Sequence, residues 1–310
     1  MSEYSTNEMM SVDQQVTVGL EACGRAHHWA RVLRRYGHEV KLMAPQFVKP
    51  YVKSNKSDRA DAEAVSEAVQ RRTMRFVGVK TVAQQDQQSL HRVRSLAVAR
   101  RTAQVNQVRG LLAEQGIEIG QGRVRAALPG ILEDGENGLS GEFRELLQDA
   151  YETLVSMDDR IAGLEAKIAR WVKADEQAQR LMSIPRIGLI TAKALVAAVG
   201  DVQTFRNGRE LAAWLGLVPR QHSTGGRAQL LGISKRGDAY VRGLLIHGAR
   251  AVWWASGKKT DQRSRWVQAI AARRHKNVAV VALANRMART AYALLVKGED
   301  YQADHGVQPA

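Results

Sequence analysis

Three carboxylates and one hydroxyl stand where phosphoryl-transfer chemistry could use them. Glu21 closes an apolar run, Val16 to Leu20, that reads as a buried strand. Asp58 and Asp61 lie three apart in Lys56-Ser57-Asp58-Arg59-Ala60-Asp61-Ala62-Glu63, at the start of an expected helix, so they share a face. A divalent cation that must also bind phosphate oxygens needs hard oxygen ligands converging from separate elements, and Mg²⁺ suits such a set. Ser223 lies far along the chain, in the polar, glycine-flanked stretch Pro219-Arg220-Gln221-His222-Ser223-Thr224-Gly225-Gly226-Arg227 that follows the apolar run Leu211 to Leu217. A serine that attacks a phosphodiester must be exposed and ringed by cations that stabilise charge on the phosphoryl oxygens. Arg220, Arg227, Lys235, Arg236 and Arg242 are close to it in sequence. A hydroxyl in a glycine-rich turn also serves simply as a turn former.

The elements that must position these groups follow from pattern. Residues 1 to 15 are polar. From Val16 the chain reads strand to Leu20, helix from about Ala26 to Tyr36, a stop at Gly37, and strand from Glu39 to Met43, the order of an α/β layer. The loop Gln46 to Ser57 brings Lys49, Lys53 and Lys56 toward the acidic pair, where they could hold a nucleic-acid backbone or be merely solvated. Helix is expected from Asp58 to about Gln70, and again from about Ala83 to Glu114. The second carries Arg92, Arg94, Arg100, Arg101 and Arg109 among several glutamines, which suits either an RNA or DNA contact or a charged solvent face. Glycines and Pro129 mark residues 120 to 140 as a connector.

Beyond it Leu147, Leu154, Ile161 and Ile168 recur every seven residues, with Ala150, Met157, Leu164 and Trp171 three residues later. These are the a and d positions of a coiled coil over about residues 143–173, expected to join two subunits, with an intramolecular helical hairpin as the alternative. Ile184-Pro185-Arg186-Ile187-Gly188 followed by Thr191 to Val199 reads as a helix-hairpin-helix. Gly188 supplies the turn and Arg186 the charge for binding a phosphate at a helix N-terminus. Lys235 and Arg236, in Gly232-Ile233-Ser234-Lys235-Arg236-Gly237-Asp238, read as phosphate clamps, and Arg242 follows on the Asp238 face. Trp253, Trp254 and Trp266, interleaved with basic residues, fit base stacking or a core, and Val278 to Val296 reads as a core helix.

Composition narrows the class of partner. Lys and Arg number 46 against 31 Asp and Glu, a net charge of +15. Residues 181 to 310 hold 20 Lys and Arg against 7 Asp and Glu, so most of the excess is there and a polyanionic partner is indicated. Cys23 is the only cysteine, which excludes an intrachain disulfide and fits a reducing cytoplasm, with nucleoid association following from a DNA partner. The histidines lack zinc-site spacing, and adjacent His27 and His28 would diverge by about 100° on a helix. No signal peptide is evident, and no apolar run approaches the roughly 18 residues of a membrane span.

The motifs Gly-Leu-Glu-Ala-Cys-Gly at 19–24, Lys-Ser-Asp-Arg-Ala-Asp-Ala at 56–62, Ile-Pro-Arg-Ile-Gly at 184–188, and His-Ser-Thr-Gly-Gly with Gly-Ile-Ser-Lys-Arg-Gly-Asp at 222–238 occur in that order. Together they resemble the DEDD transposases of insertion sequences, the RNA-guided bridge recombinases. The resemblance implies a RuvC-like, ribonuclease H-like α/β domain over residues 1–82, a helical coiled-coil linker over 83–178, and an all-α transposase domain with a helix-hairpin-helix over 179–300. It also implies Mg²⁺ on Glu21, Asp58 and Asp61, a serine nucleophile at Ser223 with Thr224 as the alternative alignment, and DNA and a structured guide RNA as partners. Arg186, Gly188, Arg220, Arg227, Lys235, Arg236 and Arg242 would bind nucleic acid. The family's first aspartate stands on an opening strand well upstream of the glutamate. Asp13, the only aspartate before Glu21, is too near to allow a strand, a turn and a second strand at roughly 5 to 6 residues per strand. The expectation is therefore an incomplete domain, begun inside the fold and lacking its first strands and one ligand. The expected activity is DNA cleavage and strand transfer; the rivals are a non-catalytic nucleic-acid binder and a metal nuclease without serine chemistry.

Overall fold

The computed structural model describes residues 14–53, 57–227 and 229–302; Asp13 and Lys56 lie outside them. The chain divides into two compact units, residues 1–85 and 86–310.

In the first unit, β1 (Thr17–Glu21) pairs in parallel with β2 (Glu39–Met43), joined by α1 (Ala26–Arg35). β3 (Phe76–Val77) adds antiparallel to β2, giving the order β1-β2-β3. Side-chain alternation sends Val18, Leu20, Val40 and Leu42 to one face, against Ala26, Ala30 and Leu33, which recur at helical spacing on α1. His27 Nδ1 accepts the Lys80 backbone N–H at 3.2 Å, and Arg31 donates to the Lys80 carbonyl at 2.7 Å, which ties the segment after β3 to that helix. Met43 turns to the other face and packs with Val48, Ala64 and Ala68. Ala64 and Ala68 belong to α3 (Asp58–Val69), reached through the short helix α2 (Pro45–Val48) and one 3-10 turn. α3 lies so close to β1 that a Cβ on Gly19 would stand 3.1 Å from both Val65 and Val69.

The second unit opens with most of α4 (Val82–Glu114), which pairs with α6 (Gly141–Lys173). Arg94 binds Glu165 at 2.9 Å and Arg101 binds Asp158, so successive partners move one heptad in opposite senses: the hairpin is antiparallel. Leu147 and Leu154, both a positions, are sealed against Val108, Leu112, Val124 and Leu128, and Ile168 enters the larger core. The heptad positions expected to form a seam between subunits are covered at Leu147 and Leu154 by α4 and α5 of the same chain. Residues 120–140 also differ from a plain connector, because α5 (Val124–Glu133) runs through Pro129. Val124 and Leu128, one turn apart and fully buried, secure the helix despite the lost N–H.

Short α7 (Glu176–Met182) and α8 (Leu189–Val199) lead to a 3-10 turn at Val202–Thr204 and to α9 (Gly208–Trp214). After α10 (Ala239–Ser256) and α11 (Gln262–Ala271), α12 (Lys276–Lys297) runs through the core. By length and composition α12 could cross a membrane, yet Ala279, Val280, Leu283, Ala284, Met287, Ala288 and Ala291 are buried inside this unit. The unit is not wholly helical: β4 (Pro219–Gln221) and β5 (Leu230–Ile233) form an antiparallel hairpin. Thr224-Gly225-Gly226-Arg227 closes it, with φ of 57° and 76° at the glycines, the left-handed pair that a type I′ turn needs.

The base of the hairpin is clamped. A Cβ on Gly216 would fall 2.2 Å from the Arg236 carbonyl oxygen, and one on Gly237 would fall 1.9 Å from that of Trp214, so only glycines allow the loop after β5 to lie on the end of α9. Arg242 fastens the contact by donating to the carbonyls of Leu215, at 3.1 Å, and Arg236, at 2.9 Å.

His91 is buried with Nδ1 3.3 Å from the Tyr240 hydroxyl. Burial, then the charges of Arg94 and Lys193, lower its pKa to about 4, against a smaller opposing pull from Asp238. The unfolded chain therefore binds a proton first as pH falls below about 6.5, and stability is lost progressively until the folded pKa is passed.

Three outcomes are expected. In urea melts between pH 7 and pH 4, His91→Leu should flatten the acid loss of stability by on the order of 2 kcal/mol; an unchanged slope would assign that loss to other groups. Leu154→Ala should cost about 2–5 kcal/mol, with a melting temperature independent of protein concentration, as an intrachain seam requires. Arg242→Ala should cost roughly 1–3 kcal/mol by stranding two carbonyls, whereas Arg236→Ala, whose contribution to the clamp is its backbone, should leave the melting temperature near that of the parent.

Candidate functional site

Glu21 and Gly19 share the α3-facing side of β1, and Glu21 lies opposite Met43 at the edge from which the chain leaves toward α3. Ser57 caps that helix by accepting the Ala60 N–H at 3.2 Å, which places Asp58 and Asp61 in its first turns, where the helix dipole favours negative charge. Asp58, Asp61 and Val65 form one stripe of α3, and Val65 is the residue against Gly19. Glu21 and Asp61 are half-buried and Asp58 is exposed. None of the three carboxylates has a hydrogen-bond or ion-pair partner among the described residues.

As donors they fit a hard divalent cation: all are oxygens, and all are uncommitted to other groups. The described residues nevertheless contain no cluster of three His, Cys, Asp or Glu side chains close enough to hold a metal. Lys53, expected beside the acidic pair, is instead drawn to Glu63 at 3.1 Å and Glu67 at 3.5 Å, further along α3.

In the second unit Ser223 stands on the outgoing arm of the β4–β5 hairpin, one residue before the turn segment. It is exposed, and its Oγ accepts from Gln221 Nε2 at 2.7 Å. Thr224 next to it pairs across the turn with Arg227. The hairpin itself escaped pattern reading, although a Gly-Gly pair between two extended runs was the available signal. Arg220, Arg227, Lys235 and Arg236 are all exposed. Apart from Lys193 and Lys297, no Lys or Arg between 181 and 297 forms a salt bridge among the described residues. Arg242 departs from its expected role: only 9% exposed and held by backbone carbonyls, it belongs to the clamp and not to a phosphate-binding surface.

Arg186 has φ of 69°, outside the range ordinary for a side-chain-bearing residue. The turn is fixed from below, where a Cβ on Gly248 of α10 would lie 2.7 Å from the Arg186 carbonyl oxygen. Gly188 precedes α8 as a cap without a side chain, and the first turn of α8 has no acidic residue, so its leading N–H groups remain available beside the exposed Arg186.

On α4, Arg94 and Arg101 are consumed by ion pairs and Arg109 by the Ile119 carbonyl, leaving Arg92 and Arg100 exposed. Trp253 packs on the core, Trp254 is 71% exposed, and Trp266 lies under Arg286, whose guanidinium is 5.3 Å from the ring centre.

Two family models match separate stretches of the chain. Residues 5–116 match the DEDD transposase model of the IS110 type, and residues 178–267 match the model described as transposase IS116/IS110/IS902 family. The chain is 53% identical over 289 residues to a "Probable family 20 transposase" of Pseudomonas aeruginosa, covering 92% of this chain and 85% of the relative. It is 47% identical over 287 residues to the transposase for insertion sequence element IS1111A of Coxiella burnetii, covering 92% and 79%. To the transposase for IS1328 of Yersinia enterocolitica it is 40% identical over 298 residues, covering 96% and 89%. Identity of this extent across both units places the chain in the IS110/IS116 family of transposases, enzymes that cut and rejoin DNA.

Proposed function

We propose that the chain performs cleavage and strand transfer of an insertion sequence with Ser223 as nucleophile. The observation that carries this is the exposed Ser223 hydroxyl on a clamped hairpin, among cations that no carboxylate of the described residues neutralises. Ser223 Oγ would attack the scissile phosphorus and give up its proton. The bond from phosphorus to the leaving sugar oxygen breaks, that oxygen is protonated, and a phosphoserine linkage retains the phosphodiester energy for rejoining. Arg220, Arg227, Lys235 and Arg236 face the phosphoryl oxygens, where positive charge favours the transition state. Holding a hydroxyl on a hairpin whose base cannot shift reduces the cost of orienting it.

Glu21, Asp58 and Asp61 would hold Mg²⁺, which supplies Lewis-acid polarisation of phosphate oxygens when bound. Their oxygen chemistry and the lack of other side-chain partners among the described residues support this. Arg186 with the α8 N-terminus would grip the DNA backbone without regard to sequence. Arg92 and Arg100 on α4 are suited to a structured RNA, whose backbone presents the same phosphates. The setting is the DNA-containing cytoplasm.

With a DNA substrate bearing the element ends, Ser223→Ala should abolish strand transfer, by roughly a thousandfold or more, while leaving DNA binding intact. Thr224→Ala should retain most activity. Unchanged strand transfer in Ser223→Ala would remove the serine from the mechanism. Cleavage stopped by EDTA yet indifferent to Ser223→Ala would identify a plain metal nuclease, and a protein that binds but never cuts under any metal would be a binder. Asp61→Asn should raise the Mg²⁺ concentration needed for half-maximal activity about tenfold or more.

A further inference from the structure

A second feature of the C-terminal unit lies outside the hairpin's reactive end. Along α12 runs a cavity of about 1200 Å³, bordered by the start of α9, by α11 and by the base of the β4–β5 hairpin. That exceeds the roughly 300–1,000 Å³ of small-molecule pockets and suits a polymer. Five cations line it: Arg209, Arg263, Arg286, Arg289 and Lys297. Of these, among the described residues, only Lys297 forms an ion pair, with Glu299 at 4.0 Å, while Arg263 lies in the field of Asp261, and Glu299 and Asp300 share the lining. The Nε of Arg263 is buried there with no hydrogen-bond partner, a donor awaiting an acceptor. Arg289 is held in place, since Gly208 at the start of α9 meets its backbone at 3.0 Å from where a Cβ would stand. The floor is apolar, with Trp266 beneath Arg286 and with Val278 and Leu231 left 51% and 44% exposed.

We infer that this groove binds an unpaired nucleic-acid strand, its phosphates on the arginines and its bases against Trp266 and the aliphatic floor. A duplex hides its base faces and could use only the cations; a single strand uses both kinds of surface, which is the combination found in strand-binding channels. Charge selects against an acidic-poor protein helix, because burying four unpaired guanidinium groups against apolar residues would cost more than the packing returns. The inference rests on the transposase assignment for the presence of a nucleic-acid substrate. It adds a place for the strand that separates when DNA is opened or when a guide RNA presents unpaired bases.

The test uses the full chain and fluorescein-labelled single-stranded DNA, single-stranded RNA and duplex DNA, read by anisotropy across a salt series. Arg286→Ala with Arg289→Ala, both exposed positions, should weaken binding of either single strand at least tenfold. It should also lower the log–log salt slope by about 1.4, given about 0.7 per phosphate contact. Duplex binding should change far less. Trp266→Leu should weaken single strands with no change in slope, and its melting temperature establishes that the fold is retained. Ultraviolet crosslinking of a bromouracil-substituted strand should map to the peptide containing Trp266. The groove assignment is overturned if Arg273→Ala with Arg274→Ala, an equal charge loss outside the groove, has the same effect. It is overturned also if crosslinks fall elsewhere, or if strand binding is unchanged while the oligomeric state shifts, which would indicate a protein occupant. Ser223→Ala run in parallel should bind single strands normally, so failure of the serine mechanism and failure of the groove give different results.

Discussion

The proposed hairpin site of the C-terminal unit depends on a backbone-to-backbone contact between the end of α9 and the loop after β5. Gly216 and Gly237 permit it because any Cβ there would overlap a carbonyl oxygen, and Arg242 closes it by bonding a carbonyl on each side. Further bonds join the same seam: Ser234 N–H to the Val218 carbonyl at 2.8 Å, Lys235 N–H to that of Gly216 at 3.2 Å, and Asn285 of α12 to that of Leu217 at 3.2 Å. A two-stranded hairpin alone is marginal in water. Fixed at its base to α9, α10 and α12, it becomes a rigid arm able to present Ser223 and its cations in one geometry.

Such an arm stores electrostatic repulsion, and the fold bears it without internal relief. Ion pairs are spent on architecture instead: Arg94–Glu165 and Arg101–Asp158 set the register of the α4–α6 hairpin, and buried Lys193 is neutralised by Asp175 at the cap of α7. The basic residues of the hairpin, of the turn at Arg186 and, Lys297 excepted, of the α12 groove receive no such partners among the described residues. A net surplus located on one unit and left unpaired there is stable only at modest cost in water, and it is most favourably discharged by a polyanion that releases its own counterions on binding.

Sequence periodicity found the elements that bury a continuous stripe. Glu39–Met43 matches β2, the expected helices at 26 and 58 start where α1 and α3 do, and the last helix agrees to within two residues at each end. What pattern could not decide was which surface a stripe meets. Leu147, Leu154 and Ile168 were plain as heptad positions, yet nothing in their spacing distinguishes a second subunit from α4 of the same chain. Arg242 failed for a related reason. Its charge suggested phosphate, but the carbonyls of Leu215 and Arg236, 27 and 6 residues away in sequence, hold the guanidinium. Ser223 was visible as chemistry and hidden as geometry, because short exposed strands such as β4 carry no hydrophobic signature and only the Gly-Gly turn betrays them.

The two side-chain-bearing residues with positive φ among the described residues, Arg186 and Lys235, sharpen the argument about charge. Each costs on the order of 1 kcal/mol or more relative to glycine, and neither gains a hydrogen bond through its side chain that would offset it. Both are basic, both are exposed, and each occupies a turn pinned by a close glycine contact, Gly248 beneath one and Gly216 beside the other. Glycine at either position would satisfy the backbone better. Retaining a cation there instead makes sense where the charge itself is used, and the turn holds it at a fixed height above the surface. Strain, exposure and an unneutralised charge coincide at these two points, which is what the proposed phosphate contacts require.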